Sequence, residues 1–286
     1  MRLITHSGSA HADETLSCAV LLASGRGITR IDRLAKVSDA ELADRECLVL
    51  DIGGRHEPEL HNFDHHQFSG DAPPSCTFQL VLDWMGLYGG ACVWFPWLEP
   101  LVWVDSKGNG QTARHYGWPE GTVEQLESPV ELALRDAFSA CSTLVPGDPV
   151  WMWLTAVGDW LLGKLSALEA RWTLFQKEGR ILSVHGLKVL FLDLPPGTKE
   201  PGLGLEQIRL RLGGDIVARI VPDARGGGYA LKRFEDDAPC LDFLRLRNDP
   251  RMGFIHAGGF LATTRARLGD AELLELLEKA FVEQPR

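Results

Sequence analysis

The run of four apolar residues Cys47–Leu50 constrains the fold of this chain more than any other segment. It ends in Asp51, which is followed by glycines at positions 53 and 54. A continuous apolar run ended by turn residues is typical of a strand that is buried on both faces. Such strands occur mainly in parallel sheets that helices cover, so the run predicts an α/β fold.

The residues before this run fit the same fold. Leu3 and Ile4 predict a first strand, and residues 28–34 predict a second one. Apolar residues at helical spacing predict a helix over residues 14–23, and residues 38–41 have the sequence of a capped short helix. Strands and helices therefore alternate through the first 50 residues or so, which predicts a parallel sheet.

Helices are predicted in the middle of the chain and short strands toward its end. The helical segments are residues 78–85, 130–138 and 151–176, whereas residues 99–105 fit either a helix or a strand end. The later strands are residues 187–194, 216–221 and 229–234, and a last helix covers residues 271–282. With 286 residues, two domains are expected: residues 1–180 with the parallel sheet and residues 181–286 with a smaller α+β fold.

The charge balance narrows the range of partners. The chain has 29 Lys and Arg against 39 Asp and Glu, which gives a net charge of −10. A chain of this charge gains little from long-range attraction to phosphate polymers, so we do not expect it to bind long duplex DNA. An enzyme that reaches a small phosphate through a metal is compatible with the same charge.

Targeting and cysteine patterns favour a cytoplasmic protein. The chain begins Met-Arg-Leu-Ile-Thr-His, which is not an apolar signal segment. The sequence contains no run of 18 uncharged apolar residues, so a membrane span is not expected. The six cysteines are scattered and include no Cys-x-x-Cys pair, so neither a zinc ribbon nor a redox dithiol is indicated. We expect free and mostly buried thiols.

Possible metal ligands follow the predicted strands. His6 comes at the end of the first strand, and Asp51 follows the buried one. Because the carboxyl ends of parallel strands meet at one edge of a sheet, these side chains are expected to lie side by side. The triplet Asp64-His65-His66 and the weaker candidate Asp105 add ligands of the same types.

The donor set predicts a metal site. Histidines and carboxylates without a thiolate suit Mn²⁺, Fe²⁺, Co²⁺ or Zn²⁺, and a carboxylate able to bridge suits two ions. Taken singly, Asp13 and Glu14 could be first-turn helix acids, and Asp51 could be a turn residue. His61 and His65, one helical turn apart, could hold a zinc ion alone or be accidental. It is the joint occurrence of these motifs that indicates a metal site.

Together these motifs resemble the DHH phosphoesterase superfamily and, within it, the Myg (melanocyte proliferating gene) family. Residues 5–14 are similar to the family's Thr-His-Asn-Gly-x-Phe-His-x-Asp-Glu, with Ser7 and Ala10 in place of Asn and Phe. Further matches are Asp-x-Gly-Gly at residues 51–54, Phe-Asp-His-His-Gln at 63–67, Asp-x-x-x-Asn-Gly at 105–110 and Phe-x-His-Ala-x-Gly-Phe at 254–260. The resemblance extends over nearly the whole chain.

The resemblance implies a two-metal site. The implied ligands are His6, His11 and Asp51 for one ion, and Asp13, Asp51, His65 and Asp105 for the other, with Asp51 as the bridge. Mn²⁺ is the expected ion, with Mg²⁺, Co²⁺ or Zn²⁺ as alternatives. Asp64 would orient His65 or a water ligand, and His66 would contact the substrate phosphate or assist the leaving group. The nucleophile would be a metal-activated water.

The resemblance also implies a substrate-binding role for the second domain, with the active site in the cleft between the domains. The implied residues are Arg219, Arg225, Gly226, Gly227, Lys232, His256, Gly258 and Gly259. Arginine can grip a phosphate with two hydrogen bonds, and a glycine-rich backbone can approach it closely. Residues 226–228 could instead form a flexible hairpin, and His256 could be a buried structural histidine.

The implied activity is hydrolysis of phosphodiester bonds, as a 3′–5′ exonuclease on short RNA or on small nucleotides. Two alternatives stay open: a phosphomonoester or pyrophosphate hydrolase, and a catalytically weak metal-binding protein that keeps the fold. The expected partner is short RNA or a small phosphate ester, without a membrane, and a homodimer is compatible with the sequence. His56, His61 and His115 have no assigned role.

Overall fold

The computed structural model of the protein describes residues 1–235 and 240–283. The chain divides into two compact units, Met1–Ser166 and Ala167–Arg286. The point of division lies inside one long helix, Pro149–Glu178. The predicted domain boundary near residue 180 falls just after this helix and stays a prediction.

The first unit contains a six-stranded sheet. Its strands are β1 Arg2–His6, β2 Arg30–Leu34, β3 Cys47–Leu50, β4 His56–Glu57, β5 Asn62–Phe63 and β6 Thr143–Leu144, in the spatial order β4-β5-β3-β1-β2-β6. The four central strands run parallel, whereas β4 and β6 pair antiparallel at the two edges. The α/β class is confirmed, and the predicted parallel sheet corresponds to the four central strands, whereas the whole sheet is mixed. Both antiparallel strands have only two residues, too few for a periodic pattern.

Helices connect and cover these strands. They are α1 Ala12–Ala23, α2 Asp39–Ala43, α3 Thr77–Trp84, α4 Tyr88–Trp94, α5 Leu98–Lys107, α6 Asn109–Tyr116, α7 Thr122–Gln125, α8 Pro129–Ser139 and α9 Pro149–Glu178. All the helices predicted for this part of the chain are present, and the ambiguous segment 99–105 is helical. The sequence patterns did not predict α4, α6 or α7.

The central strands are buried on both faces. Ile4 and Val49 pack with Leu42 of α2 in one apolar cluster. Leu3 and Leu48, which precede them and point to the opposite face, are also fully buried. Each such side chain contributes roughly 1.5–3 kcal/mol when it leaves water. This burial holds the ends of β1 and β3, and so the residues that follow them, in fixed positions.

The second unit has its own mixed sheet. Its elements are β7 Gly179–Val184, β8 Leu187–Leu192, α10 Leu205–Arg211, β9 Ile216–Pro222, β10 Tyr229–Arg233, β11 Met252–Ile255, β12 Leu261–Thr264 and α11 Asp270–Ala280. The spatial order is β11-β12-β10-β9-β8-β7, and β8 pairs parallel with β9 while the other recorded pairs are antiparallel. The three predicted strands and the last helix are confirmed, whereas β7, β11, β12 and α10 were not predicted.

A hairpin turn joins β9 to β10, as the glycine-rich sequence predicted. Its residues 223–228 are mostly exposed, and the backbone N–H of Asp223 donates to the carbonyl of Gly228 over 2.9 Å. A Cβ atom at Gly228 would lie 2.0 Å from the carbonyl oxygen of Thr264. Glycine is therefore required at this position by backbone packing alone.

Four of the six cysteines, Cys18, Cys47, Cys76 and Cys240, are buried, in agreement with the prediction of mostly buried thiols. None of the six forms a disulfide in the described part of the chain. Within residues 1–235 and 240–283, no helix combines the length and the apolar character that crossing a membrane requires.

Candidate metal centre

The sheet of the first unit brings His6 and Asp51 together. β1 and β3 are parallel neighbours, so the end of β1 at His6 and the residue after β3 reach the same edge of the sheet. The distance from His6 Nε2 to Asp51 Oδ2 is 3.3 Å. Two residues that are 45 positions apart in the chain thus share one site, as the parallel arrangement predicted.

The backbone of Asp51 adopts an unusual conformation. Its φ angle is 56°, in the left-handed region that side chains with a Cβ rarely adopt. Gly53 and Gly54 also have positive φ, and together the three residues turn the chain sharply after β3. Strain of this kind costs roughly 1–3 kcal/mol and is concentrated at functional sites. Here the turn accompanies a buried carboxylate, 1% exposed, that contacts three histidines.

Glu14 belongs to this site although it was not among the predicted ligands. Its carboxylate is fully buried in the first turn of α1, and Oε2 lies 3.0 Å from His6 Nε2 and accepts a hydrogen bond from Thr5. The other oxygen, Oε1, accepts from the backbone of His11 and from the guanidinium of Arg33. Glu14 therefore joins β1 to α1 and fixes the ring of His6. The sequence feature that could have identified Glu14 as part of the site is its position in the His-x-Asp-Glu motif.

Thr77 fixes two carboxylates at once, and no sequence pattern pointed to it. It is the first residue of α3, and its backbone N–H donates to Asp13 Oδ2 over 3.1 Å. Its hydroxyl donates to Asp51 Oδ1, also over 3.1 Å. Positive helix N-termini stabilise nearby anions, so α3 positions Asp13 both electrostatically and by a hydrogen bond.

His65 and Asp105 also lie at this site. The site as a whole, called the cluster below, comprises His6, His11, Asp13, Glu14, Asp51, Asp64, His65, His66, Thr77 and Asp105. His65 Nε2 lies 3.0 Å from Asp105 Oδ2 and 3.3 Å from Asp51 Oδ1. Asp105 lies in α5, and its Oδ1 is 3.9 Å from His11 Nδ1. The nearby Lys107 donates to the carbonyls of Gly70 and Ala72. The structure therefore brings the weakest of the predicted ligands into contact with two of the others.

Asp64 contacts a different histidine from the one expected. Its Oδ1 accepts hydrogen bonds from the backbone N–H of His66 over 2.9 Å and pairs with His66 Nδ1 at 2.8 Å. Its Oδ2 accepts from the backbone N–H of Gly54. Among the described residues, Asp64 thus contacts His66 rather than His65, because the chain turns between positions 64 and 66 and brings the later ring back to the carboxylate. The alternative that Asp64 orients a water ligand stays a prediction.

The predicted ligands fall, together with His66, into groups that could each hold a metal ion. One group is the first of the two predicted ligand sets, whereas the second predicted set is not among the groups found in the described residues. Three groups of potential ligand atoms lie within 4.8 Å of one another: His6, His11 and Asp51; Asp51, His65 and His66; and His11, Asp13 and Asp105. Within the described residues, four buried atoms of the cluster make no hydrogen bond, namely His6 Nε2, Asp13 Oδ1, Asp51 Oδ2 and Asp105 Oδ2. Three of them, all but Asp13 Oδ1, lie 3.0–3.3 Å from other histidine or carboxylate atoms of the cluster. Buried polar atoms are normally satisfied, so these converging atoms are arranged as metal ligands would be.

The cluster perturbs the pKa values of its own members. Contact with Asp51 raises the pKa of His6 to about 9. Burial acts to lower the pKa of His65, but its contacts with Asp105 and Asp51 raise the value to about 10. Burial, followed by the charges of Asp105 and Asp51, raises the pKa of Asp13 well above its ordinary value. Without a cation, the cluster therefore holds protons that a metal would displace.

The remaining N-terminal histidines lie outside these groups. His61 Nδ1 is 3.0 Å from the carbonyl of Arg45, and His61 is not part of a helix, so the alternative of a zinc ion on residues 61 and 65 has no support. His115 stacks on Trp103 with 3.7 Å between ring centroids. His56 contacts the ring of Phe63.

In the second unit, the structure brings some of the predicted substrate-binding residues together. Arg219 and Lys232 face each other across β9 and β10, and each cation lies over an aromatic ring, that of Phe234 and of Phe260 respectively. Arg225 lies in the exposed hairpin turn, as do Gly226 and Gly227. The role of these residues in binding stays a prediction.

The last predicted segment has a local structural explanation. His256 is half-buried, accepts a hydrogen bond from the backbone N–H of Gly258, and contacts the ring of Phe260. Gly259 has a φ of 67°, and a Cβ there would lie 2.2 Å from Asp242 Oδ1. The tight turn that these contacts form requires glycine at position 259 whether or not a ligand binds.

The match to a family model covers only the N-terminal part of the chain. Residues 2–80 match the MYG1 exonuclease family model, described as an uncharacterised protein family (UPF0160). The MYG1 exonucleases of Bos taurus and Homo sapiens are each 37% identical to this chain over 68 residues, 24% of this chain and 17% and 18% of theirs. The MYG1 protein of Chlamydia pneumoniae is 36% identical over 110 residues, 37% of each chain.

These relatives are therefore matched over only 17% to 37% of their own lengths. The part of the chain that matches the family model nevertheless contains most of the cluster, namely His6, His11, Asp13, Glu14, Asp51, Asp64, His65, His66 and Thr77. Asp105 lies beyond it, so the family-model match does not support its place in the cluster.

Proposed function

We propose that this protein is a metal-dependent phosphoesterase of the DHH type, with two divalent cations at the cluster of the first unit and Mn²⁺ as the preferred ion. One observation carries the proposal: Asp51 is shared by two of the three ligand groups, as a bridging carboxylate would be. Paired cations held by a bridging carboxylate are characteristic of enzymes that hydrolyse phosphate esters.

The buried atoms without hydrogen-bond partners support two ions. They belong to His6, Asp13, Asp51 and Asp105, so they come from β1, α1, the turn after β3 and α5. His6, His11 and Asp51 would hold one ion. Asp13, Asp51, His65 and Asp105 would hold the other. When bound, the ions would neutralise phosphoryl oxygens and lower the pKa of a water molecule.

The neighbours of the ligands would position them. Glu14 fixes the ring of His6, and Thr77 fixes the carboxylates of Asp13 and Asp51. Such partners typically change metal affinity or activity by about 10–100-fold when they are removed. They also keep the cluster rigid, which lowers the cost of ordering the substrate.

His66 is suited to act on the substrate. Its ring is 59% exposed, and its Nδ1 is held by Asp64, which directs the Nε2 edge away from that carboxylate. A ring held in this way can donate a proton to a leaving oxygen or hydrogen-bond to a phosphate. Asp64 would then set the tautomer of His66.

The substrate that we propose is a short phosphodiester, cleaved as a 3′–5′ exonuclease would cleave short RNA. The names of the mammalian relatives, MYG1 exonuclease, support a nuclease or another hydrolase. The net charge of −10 favours short substrates over long duplexes, because long-range attraction to a polyanion is absent. We further propose a cytoplasmic location and a role for Arg219, Arg225, Lys232 and His256 in binding substrate.

The experiment is a substrate panel in the presence of Mn²⁺. Short oligoribonucleotides, dinucleotides, pyrophosphate and phosphomonoesters are incubated with the wild-type chain and with Asp51→Asn. We expect Mn²⁺-dependent cleavage of the phosphodiesters, and a fall in the variant of more than the roughly 100-fold seen for outer neighbours of metal ligands. His61→Gln is the control, because this histidine lies outside the cluster.

Each other result excludes part of the proposal. Unchanged cleavage by Asp51→Asn would rule out the two-metal mechanism. Cleavage of pyrophosphate or phosphomonoesters alone would replace the phosphodiester substrate by the alternative hydrolase. Binding of about two Mn²⁺ per chain without any cleavage would indicate a metal-binding protein that retains the fold.

A further inference from the structure

A cavity of about 600 Å³ lies in the first unit, between α1, α5, α8 and α9. This volume is within the range of sites that hold small molecules, about 300–1,000 Å³. Most of its wall is apolar, with three indoles among the side chains: Trp97, Trp118 and Trp160. The cavity contains none of the metal ligands, so it is a separate feature of the same unit.

A series of nearly parallel aromatic rings leads up to one wall of the cavity and ends there. Phe78 and Trp97 are inclined by 9°, Trp97 and Phe95 by 25°, and Phe95 and Trp160 by 25°, with centroids 5.5–6.4 Å apart. Trp97 and Trp160 are 37% and 56% exposed. A planar ring in the cavity can therefore stack on faces that are already oriented and partly solvated.

The cavity adjoins the metal cluster along two helices. Ala12 lines it and lies in the chain between His11 and Asp13. Val104 lines it and precedes Asp105, whose carboxylate is 3.9 Å from the His11 ring. Since consecutive side chains on a helix point about 100° apart, each helix presents one residue to the cavity and the next to the cluster.

The charged side chains that line the cavity disfavour the binding of a phosphate group there. Glu127 and Glu131 line it with a single cation, Arg135, whose guanidinium donates to Glu127 over 3.0 Å. Arg135 Nε is buried and lies 3.8 Å from Glu131 Oε1, but within the described residues it makes no hydrogen bond. The lining thus has an excess of one negative charge. It favours a neutral group that offers N–H donors to carboxylates and an acceptor to Arg135.

We propose that this cavity binds a heteroaromatic ring of the phosphate ester whose phosphoryl group meets the metal cluster, an inference that rests on the proposed function. The ring stacks against Trp97 and Trp160, and its polar edge meets Glu131 and Arg135. Substrate recognition is then divided: cations hold the anionic part, and an aromatic, weakly acidic cavity holds the uncharged part. Esters without an aromatic ring are poor substrates for this reason.

The test measures binding of an uncharged probe by isothermal titration calorimetry. Adenosine has a heteroaromatic ring with N–H donors and no phosphate, and ribose lacks the ring. We expect adenosine, but not ribose, to bind the metal-free wild-type chain. Trp160→Ala should weaken adenosine binding about tenfold, which is within the effect of removing one stacking ring. Trp160→Leu, which keeps apolar bulk, should weaken it similarly, and circular dichroism checks that both variants are folded.

Trp153→Ala is the matched control, because Trp153 lies on the same helix, is 49% exposed and does not line this cavity. Equal effects of Trp153→Ala and Trp160→Ala, or no binding of adenosine, would overturn the proposal. Asp51→Asn should bind adenosine as the wild type does. Hydrolysis is assayed separately. Cleavage without adenosine binding would contradict the ring site and leave the proposed phosphoesterase function standing. Adenosine binding without cleavage would support the ring site and contradict the proposed function.

Discussion

Two groups of carboxylates in this protein have opposite surroundings. In the first unit, Asp13 and Asp51 are 1% and 3% exposed and lie near a third carboxylate, Asp105, without a lysine or arginine among their recorded contacts. In the second unit, Asp249 accepts hydrogen bonds from the guanidinium of Arg251 and the ammonium of Lys279.

Asp13 and Asp249 consequently differ in the sign of their pKa shifts. Burial raises the pKa of Asp13 well above its ordinary value, whereas hydrogen bonds from Arg251 hold the pKa of Asp249 well below it. Burial also acts to raise the pKa of Asp51, but its contacts with His6 and His65 hold the value below the ordinary one. An acid that is buried beside other acids costs free energy unless a cation is present, and within the described residues no lysine or arginine contacts Asp13, so only the histidines of the cluster and a bound metal can offset its charge. The comparison separates an ion pair that stabilises the fold from a cluster that is arranged for a ligand.

The largest effect should appear in the pH dependence of Mn²⁺ affinity. His6 and His65 have pKa values raised from 6.5 to about 9 and about 10, so both are protonated at neutral pH in the metal-free chain. Mn²⁺ must displace these protons, and each displaced proton makes the affinity rise about tenfold per pH unit. We expect affinity to rise steeply between pH 6.5 and 8.5, as measured by calorimetric titration.

The same pKa values predict the stability of the metal-free chain. Groups whose folded-state pKa is raised stabilise the fold below their unfolded value, and that stability is lost as pH rises through about 9–10. Mn²⁺ should thus bind more tightly as the metal-free fold weakens. His65→Gln should reduce the slope of affinity against pH, and His61→Gln should leave it unchanged. A flat pH profile would mean that the two histidines are not metal ligands.

A smaller effect is expected at the paired carboxylate of the second unit. Asp249→Ala removes the acceptor of Arg251 and Lys279, and should lower the free energy of unfolding by about 2 kcal/mol. Mn²⁺ binding should not change. Urea unfolding checks the stability, and Glu275→Ala is the control. It removes a 65%-exposed partner of the same arginine, which is worth at most about 1 kcal/mol. Equal losses in the two variants would contradict a special role for Asp249.

The sequence predicted much of this fold because its signals are long or repeated. The buried run at 47–50 and the helical spacing of residues 14–23 each left a clear pattern. The edge strands β4 and β6 have two residues each, and only their pairing with β5 and β2 makes them strands. Short edge elements are set by tertiary contacts, which a local pattern does not contain.

The residues of the metal site, like the elements of the fold, could be predicted only in part from the sequence. Side chains at strand ends, such as His6 and Asp51, follow from the topology of a parallel sheet. The contribution of Thr77 depends on where α3 begins in space, and its sequence neighbourhood is apolar. Asp64 was placed in the site, but its contact with His66 was not predicted, because the turn at residues 64–66 had no periodic signal.

The smallest expected effect is a change in the free energy of unfolding on replacing Asp13. It tests most directly whether the acids of the cluster differ from acids that are paired with arginine or lysine. Asp13→Asn keeps an oxygen that accepts from the Thr77 N–H and replaces a carboxyl group whose ionised form is disfavoured by burial and by the charges of Asp105 and Asp51. In the metal-free chain we expect the free energy of unfolding to stay the same or rise by about 1 kcal/mol, because the amide cannot ionise and carries no such cost. Metal binding should weaken in the same variant.

Asp32→Asn is the matched control in the first unit. Asp32 is also buried, at 2% exposed, but it pairs with Arg2 and Arg30 and accepts from Thr143. Its replacement should destabilise the chain and leave Mn²⁺ affinity unchanged. Opposite changes in urea midpoint for the two variants would separate charge arranged for a ligand from charge that is already paired. A loss of stability in both would mean that Asp13 is an ordinary structural acid.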